Sequence, residues 1–549
     1  MRLYSFLLAV SLLVAGLTSD AHACTNFLIT KGASADGSTM ITYSADSHEL
    51  YGDISYYPPA VYQDGAWMDI IEGDTGKYLG RIPQAKQTYA VVGLMNEYQV
   101  ALGETTYGGR EEIAEGPSGI VDYVNLMIIA LQRAKTAREA IQVMGSIVAE
   151  YGYASEGESF SVSDPNEVWF MDLIGKGKGA KGAVWVARRI PDGYISAHAN
   201  QARIRQFPLK DPANCLYAPD VITFAREKKW FDGKDEEFSF VGAYSPPNFG
   251  ALRFCEARVW CMFNRAAPSL KLPTEYMMGN PKAEPLPLWI KPDKKLSVHD
   301  VMQLMRDHYE GTPLDMTQDV GAGPFVLPYR WRPMEWKVGE KTYVHERAVS
   351  TQQTGYSFVT QSRSWLPGPI GGIFWVGMDD TFTTVYMPMY CGIQALPKPF
   401  AKGTANFGAF SWDSGFWVFN FVANWAYTRY SDMIVDIQKV QNELEGKFFA
   451  EQAENEKAAL ELLKTSPALS RTYLTEYCVK QGDMVTARWR KLGEFLLWKY
   501  LDGNVRDEKG NVTHPPYPEA WYKAVAQQGG DILKVRELPT PTPTPAPAP

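Results

Sequence analysis

One cysteine stands where an exported chain would be expected to begin. Cys24 follows Ala21-His22-Ala23, and ahead of these lie Arg2 and an apolar stretch over residues 3–17. A positive start, an apolar run and an A-x-A site are the parts of a secretory leader, so residues 1–23 read as a signal peptide cut after Ala23. The run is shorter than a bilayer span, and no stop-transfer pattern follows it. Cleavage at this point gives Cys24 a free α-amine. A thiol becomes a nucleophile when a base takes its proton or its pKa falls. The amine, with an ordinary pKa of about 8, is a base already attached to the sulfur-bearing residue. Two other readings of the position stay open: a lipid anchor, which would modify both thiol and amine, and an inert residue left by cleavage.

Such a nucleophile needs rigid elements around it. TNFLITK and TMITYSAD flank the turn formers GASADGS, which predicts a hairpin; YAVVGLM and VALGETT flank NEYQ and predict a second. A helix is expected over residues 120–133, and another from Thr136, where Thr136 and Glu139 form a capping box ahead of Ala140, Ile141, Val143 and Met144. Strand pairs are then expected around Pro165-Asn166 and around Pro191-Asp192-Gly193. GKGKGAKG, residues 175–182, lacks the order of a phosphate loop and reads as a basic hairpin tip. Residues 210–300 give no firm assignment. A helix over residues 297–309 precedes a strand-rich stretch, and residues 431–501 turn helical and charged. His308 reads as a structural helix residue, and Trp331, Trp336, Trp365 and Trp375 as core or pocket wall. The closing PTPTPTPAPAP reads as an extended, disordered tail. Antiparallel hairpins with a helical pair between them suggest an α+β protein of layered sheets with helices outside.

A net charge of −8 argues against a nucleic-acid binder, because neutralising phosphate needs a basic face. No segment after the leader is apolar for long enough to span a bilayer, so no membrane association is expected after cleavage. Of the other cysteines, Cys255 and Cys261 could pair, but a chain this long does not need a disulfide framework. The histidines make no zinc pattern, and no metal is expected. Composition gives no oligomeric state.

Several ordered stretches together resemble a known family. CTNFLITKGASADGSTMITYSADSHE, GLMNEYQVALGETT, IPDGYISAHANQARI, VMQLMRDHYEGTPLDMT and QSRSWLPGPIGGIFWVGMDD are similar to the dipeptidases of peptidase family C69. These are N-terminal nucleophile hydrolases, related to penicillin V acylase and bile salt hydrolase. The resemblance implies a four-layer αββα sandwich, placed over residues 24–430; the residue pattern adds a helical extension over 431–538 and a tail over 539–549. The resemblance also implies Cys24 as nucleophile, Asp46 as the acid that holds the nucleophile and its amine, and Asn200 as the oxyanion donor. A carboxamide N–H aimed at developing negative charge suits that last task. Tyr43 stands where relatives often carry arginine, and a phenol supplies no fixed positive charge to the thiol. Asn96, Glu104, Thr106 and Arg203 are candidates for substrate binding, Glu104 for an ammonium and Arg203 for a carboxylate. The expected activity is hydrolysis of small peptides by an exported enzyme without a cofactor. The alternatives are an acylase of the penicillin V or bile salt type and a lipid-anchored surface protein.

Overall fold

The computed structural model describes residues 24–114, 119–331 and 334–535. The leader, residues 1–23, and the tail, 539–549, lie outside the described residues. The principal strands are β1 (Asn26–Ile29), β2 (Met40–Asp46), β3 (Ala101–Tyr107), β4 (Gly157–Ser163), β5 (Val168–Gly175), β6 (Ala183–Arg189), β7 (Ile195–His198), β8 (Thr354–Gln361), β9 (Ile373–Met378) and β10 (Met387–Tyr390). The principal helices are α1 (Tyr123–Arg133), α2 (Ala137–Tyr151), α3 (Ala257–Ala266), α4 (Val298–Met305), α5 (Gly415–Thr428), α6 (Tyr430–Thr465) and α7 (Pro467–Lys499).

Two antiparallel sheets organise these strands. The seven-stranded sheet runs Trp289–Ile290, β7, β1, β2, β8, β9, β10. The eight-stranded sheet runs Cys215–Tyr217, β6, β5, β4, β3, Met95–Asn96, Val91–Val92, Tyr56–Tyr57. The sheets face each other, β2 against β3 and β1 against β5. Strands sandwiched this way are buried on both faces, which is why β1 and β2 have no exposed position. Gly103 marks the closest approach: a Cβ there would collide with Asn26 Oδ1 from the opposite sheet. Polar bridges join the sheets beside it. Asn26 Nδ2 donates to the Glu104 carbonyl at 2.6 Å, and the His198 ring lies between Thr105 and Ser161 at 2.7 and 2.8 Å.

Helices α1 and α2 cover the outer face of the eight-stranded sheet, and α5, α6 and α7 pack against the far edge of the seven-stranded one. Asp122 caps α1, its Oδ1 accepting from Asn125 N–H at 2.8 Å. Thr136 caps α2 by accepting from Glu139 N–H, as its sequence predicts, but the Glu139 carboxylate reaches the N–H of Lys135, one residue before the expected box partner. The hairpin expected between YAVVGLM and VALGETT folds as two successive turns, with Met95–Asn96 a short strand between them. All six cysteines are free, and Cys261 donates to Asp307 Oδ1, so the pairing considered for Cys255 and Cys261 does not form. Trp375 belongs to the core, whereas Trp331 and Trp365 are exposed. Among the described residues no helix is long and apolar enough to cross a membrane.

Candidate active site

The start of β1 and the neighbouring strands fix Cys24 from three sides. Ser44 N–H donates to the Thr25 carbonyl at 3.0 Å, which sets β2 beside the cysteine and brings Tyr43 and Asp46 with it. The Cys24 N–H donates to Asn200 Oδ1 at 3.0 Å, and its carbonyl accepts from Arg258 Nη1 at 2.7 Å. Its Sγ lies 3.7 Å from both Tyr43 Oη and Glu104 Oε1. Tyr43 donates to Glu104 Oε1 at 2.6 Å, so phenol and carboxylate form one wall of the thiol's surroundings.

Asn200 follows β7 in a left-handed conformation, φ 65°, uncommon for a residue with a side chain and characteristic of constrained sites. That backbone turns its carboxamide into a bracket. Its oxygen accepts from both Cys24 and Arg258 Nη2, and its Nδ2 donates to the Thr106 carbonyl at 2.7 Å. The Asp46 carboxylate accepts from Thr354 Oγ1 at 2.7 Å and Ser44 Oγ at 3.2 Å, and the Asp46 backbone hydrogen-bonds to the thiol. The Asp46 carboxylate therefore spends its hydrogen bonds on Thr354 and Ser44 and acts on Cys24 through its charge.

Arg258 was not legible beforehand, because it lies in the stretch for which the pattern gave no assignment. A turn of π-helix, Ala251–Glu256, leads into α3 and sets its angle. Arg258 is fully buried there, and all its donors are used: Nε on the Phe254 carbonyl, Nη1 on Cys24 and Thr25, Nη2 on Ala199 and Asn200. The one available signal was an arginine set among Ala257, Val259 and Trp260 in an otherwise apolar run. Glu158 was also missed. It pairs directly with Thr106 across β3 and β4, and Thr106 Oγ1 donates to its Oε1 at 3.0 Å.

Electrostatics at the site are governed by burial. Burial pushes the Cys24 thiol well up, and the Glu104 and Asp46 carboxylates add to it. Asp46 is raised to about 6 by burial, against the pull of Arg347 and Arg258. Glu104 and Glu158 are both raised, first by burial, and Glu158 further by the facing Glu104 charge.

Two expected substrate residues stand elsewhere. Asn96 spends its side chain on local structure: Nδ2 donates to the Leu131 and Ala134 carbonyls, and Oδ1 accepts from Tyr98 and Val100 N–H. Arg203 is buried in an ion pair with Glu256 at 2.9 Å, and its remaining donors go to the carbonyls of Ala197, Leu286, Pro287 and Leu288. Neither has a group left to offer a ligand. His308 bridges Glu310 and Tyr329 in a buried network away from the thiol. Among the described residues no three His, Cys, Asp or Glu side chains gather as metal ligands.

Comparison with known proteins bears on this arrangement. Residues 53–443 match the model of "Peptidase family C69". The chain belongs to peptidase family C69. The match begins after Cys24, Tyr43 and Asp46, so these three residues rest on geometry and local sequence. A probable dipeptidase of Salmonella dublin is 27% identical over 397 residues, covering 68% of this chain and 82% of its own. A probable dipeptidase of Latilactobacillus sakei is also 27% identical, covering 68% and 74%. Probable dipeptidase A of Streptococcus pyogenes serotype M3 is 24% identical over 450 residues, covering 77% and 87%. The C69 match takes in Glu104, Thr106, Glu158, Asn200 and Arg258, most of what surrounds the thiol.

Proposed function

We propose that this C69 peptidase is an exported dipeptidase, with Cys24 as a nucleophile made amino-terminal by removal of residues 1–23. Three-point fixation of Cys24 carries the reading: its nitrogen on Asn200, its carbonyl on Arg258, its sulfur beside Tyr43 and Glu104. The relatives' description as probable dipeptidases supports the substrate class. The order helices, sheet, sheet, helices, with Cys24 leading into a central strand, supports an N-terminal nucleophile hydrolase sandwich.

The reaction follows from these positions. The thiol attacks the carbonyl of the substrate's first residue while the α-amine of Cys24 takes the thiol proton. The amine passes that proton to the leaving nitrogen, and the second residue departs as a free amino acid. Water, deprotonated by the same amine, then opens the thioester and releases the first residue. Burial and two neighbouring carboxylates keep the resting sulfur protonated, so proton removal belongs to the attack itself. The Asn200 carboxamide and backbone N–H groups would hold the oxyanion.

Protein beginning at Cys24 should hydrolyse free dipeptides, whereas Cys24→Ala, and precursor keeping residues 1–23, should not. Liquid chromatography of the released amino acids reads this directly. Full activity of Cys24→Ala removes the nucleophile; faster cleavage of penicillin V or glycocholate than of any dipeptide replaces the dipeptidase with an acylase.

A further inference from the structure

We propose that Glu104, held by Tyr43, and Glu158, held by Thr106, form the seat of the α-ammonium group of the substrate's first residue. The inference rests on the dipeptidase reading and deepens it. Register brings the parts together: Thr106 lies opposite Glu158, and Glu104, two residues earlier on β3, shares its face of the sheet. Both side chains are essentially excluded from solvent. One oxygen of each is occupied, Glu104 Oε1 by Tyr43 and Glu158 Oε1 by Thr106. The other two, Glu104 Oε2 and Glu158 Oε2, are buried and accept from no donor except each other. Carboxylate oxygens held out of water without donors are costly unless a cation arrives to meet them.

Distance from the nucleophile decides which cation. Glu104 Oε1 is 3.7 Å from Cys24 Sγ. In an amino-acyl group the ammonium nitrogen lies about 2.5 Å from the carbonyl carbon, by standard bond lengths. A carbonyl placed for attack by Sγ therefore puts its own α-ammonium within hydrogen-bonding reach of this carboxylate. The ammonium of a lysine side chain, four carbons further out, would overshoot. Charge also matches. Burial raises both carboxyls, so an ammonium seated against them would relieve the cost of their ionised form. The phenols of Tyr123 and Tyr356 lie near enough to feel the Glu104 charge.

The test compares alanyl-alanine with lactoyl-alanine, in which a hydroxyl replaces the α-ammonium and the scissile amide is unchanged. Wild-type enzyme should prefer alanyl-alanine by about 100-fold or more in kcat/KM, the scale set by losing a charged hydrogen bond. Glu158→Gln should lose most of its activity on alanyl-alanine while keeping its rate on lactoyl-alanine, so that the preference collapses. A cooperative melting transition at the wild-type temperature reports that the variant is folded. Equal wild-type rates on the two substrates overturn the proposal, as does an equal loss on both in Glu158→Gln. If that variant does not fold, the wild-type comparison decides alone. Absence of turnover on every free dipeptide has a different meaning: it removes the dipeptidase reading, and this site with it.

Discussion

At the scale of single residues, Cys24 is surrounded by groups that keep it from ionising. Glu104 and Asp46 oppose a negative sulfur, and Tyr43 brings a hydrogen bond where an arginine would bring charge. The nearest fixed positive charge is Arg258, and it is spent on the Cys24 carbonyl and Asn200. It therefore orders the peptide of Cys24 more than it polarises the sulfur. Asp46 completes the balance. Raised to about 6, it is protonated below that pH and negative above it. Only the ionised form stabilises the cationic amine formed during attack, so kcat should rise with pH through about 6. Asp46→Asn should abolish that rise and lower the plateau about 10-fold, the scale of a nearby buried charge acting without a direct hydrogen bond. A pH–rate profile of both proteins from pH 4.5 to 8 provides the check; an unchanged limb in the variant would assign it to another group.

At the scale of elements, the helices after residue 430 are built into the sheet they cover. Glu445 of α6 is buried against Arg306, just past α4, at 2.5 Å, and it also accepts the Tyr386 N–H at 2.9 Å. Gln441 of the same helix donates to the carbonyls of Phe382 and Thr384, and Glu456 accepts from Arg363 beyond β8. These contacts make α6 part of the layer that holds β8, β9 and β10 in place. Glu445→Ala leaves a buried guanidinium without its counter-charge, which costs about 3–5 kcal/mol. Urea denaturation should show that loss, and adding Arg306→Met should recover part of it. Wild-type stability in Glu445→Ala would make α6 an appendage.

The whole molecule carries an uncommon load of buried acids, and this gives its stability a pH dependence. Asp379, held at φ 64° after β9, is raised to about 8 by burial and by the adjacent Asp380. Between the ordinary aspartate value, about 4, and 8 the folded chain keeps a proton that the unfolded chain has released. Stability must then fall as pH rises through this interval. Asp379→Asn removes that dependence while tolerating the left-handed backbone. Melting temperatures of the two proteins should diverge from pH 4 to 8 in favour of the variant; parallel curves would mean that Asp379 stays ionised throughout.

From the residues alone, strands of both sheets, the capped helices and the family were legible, because each is a local pattern or an ordered motif. Turn formers and caps act within a few residues, so Thr136 and the hairpin around GASADGS read directly. Partnership between distant strands does not. GAVWVARRI and YISAHANQARI flank one turn and look like a hairpin, yet β6 pairs with β5 while β7 crosses to the other sheet and pairs with β1. That crossing delivers Asn200 to Cys24. Asn96 and Arg203 show the same limit from the other side, since their polar groups are consumed by carbonyls and a carboxylate far away in sequence. Glu158 carries no local mark, and Arg258 none beyond its place in an apolar run. A buried charge acquires its role from the groups that surround it after folding, and those groups are brought together only when the two sheets close face to face.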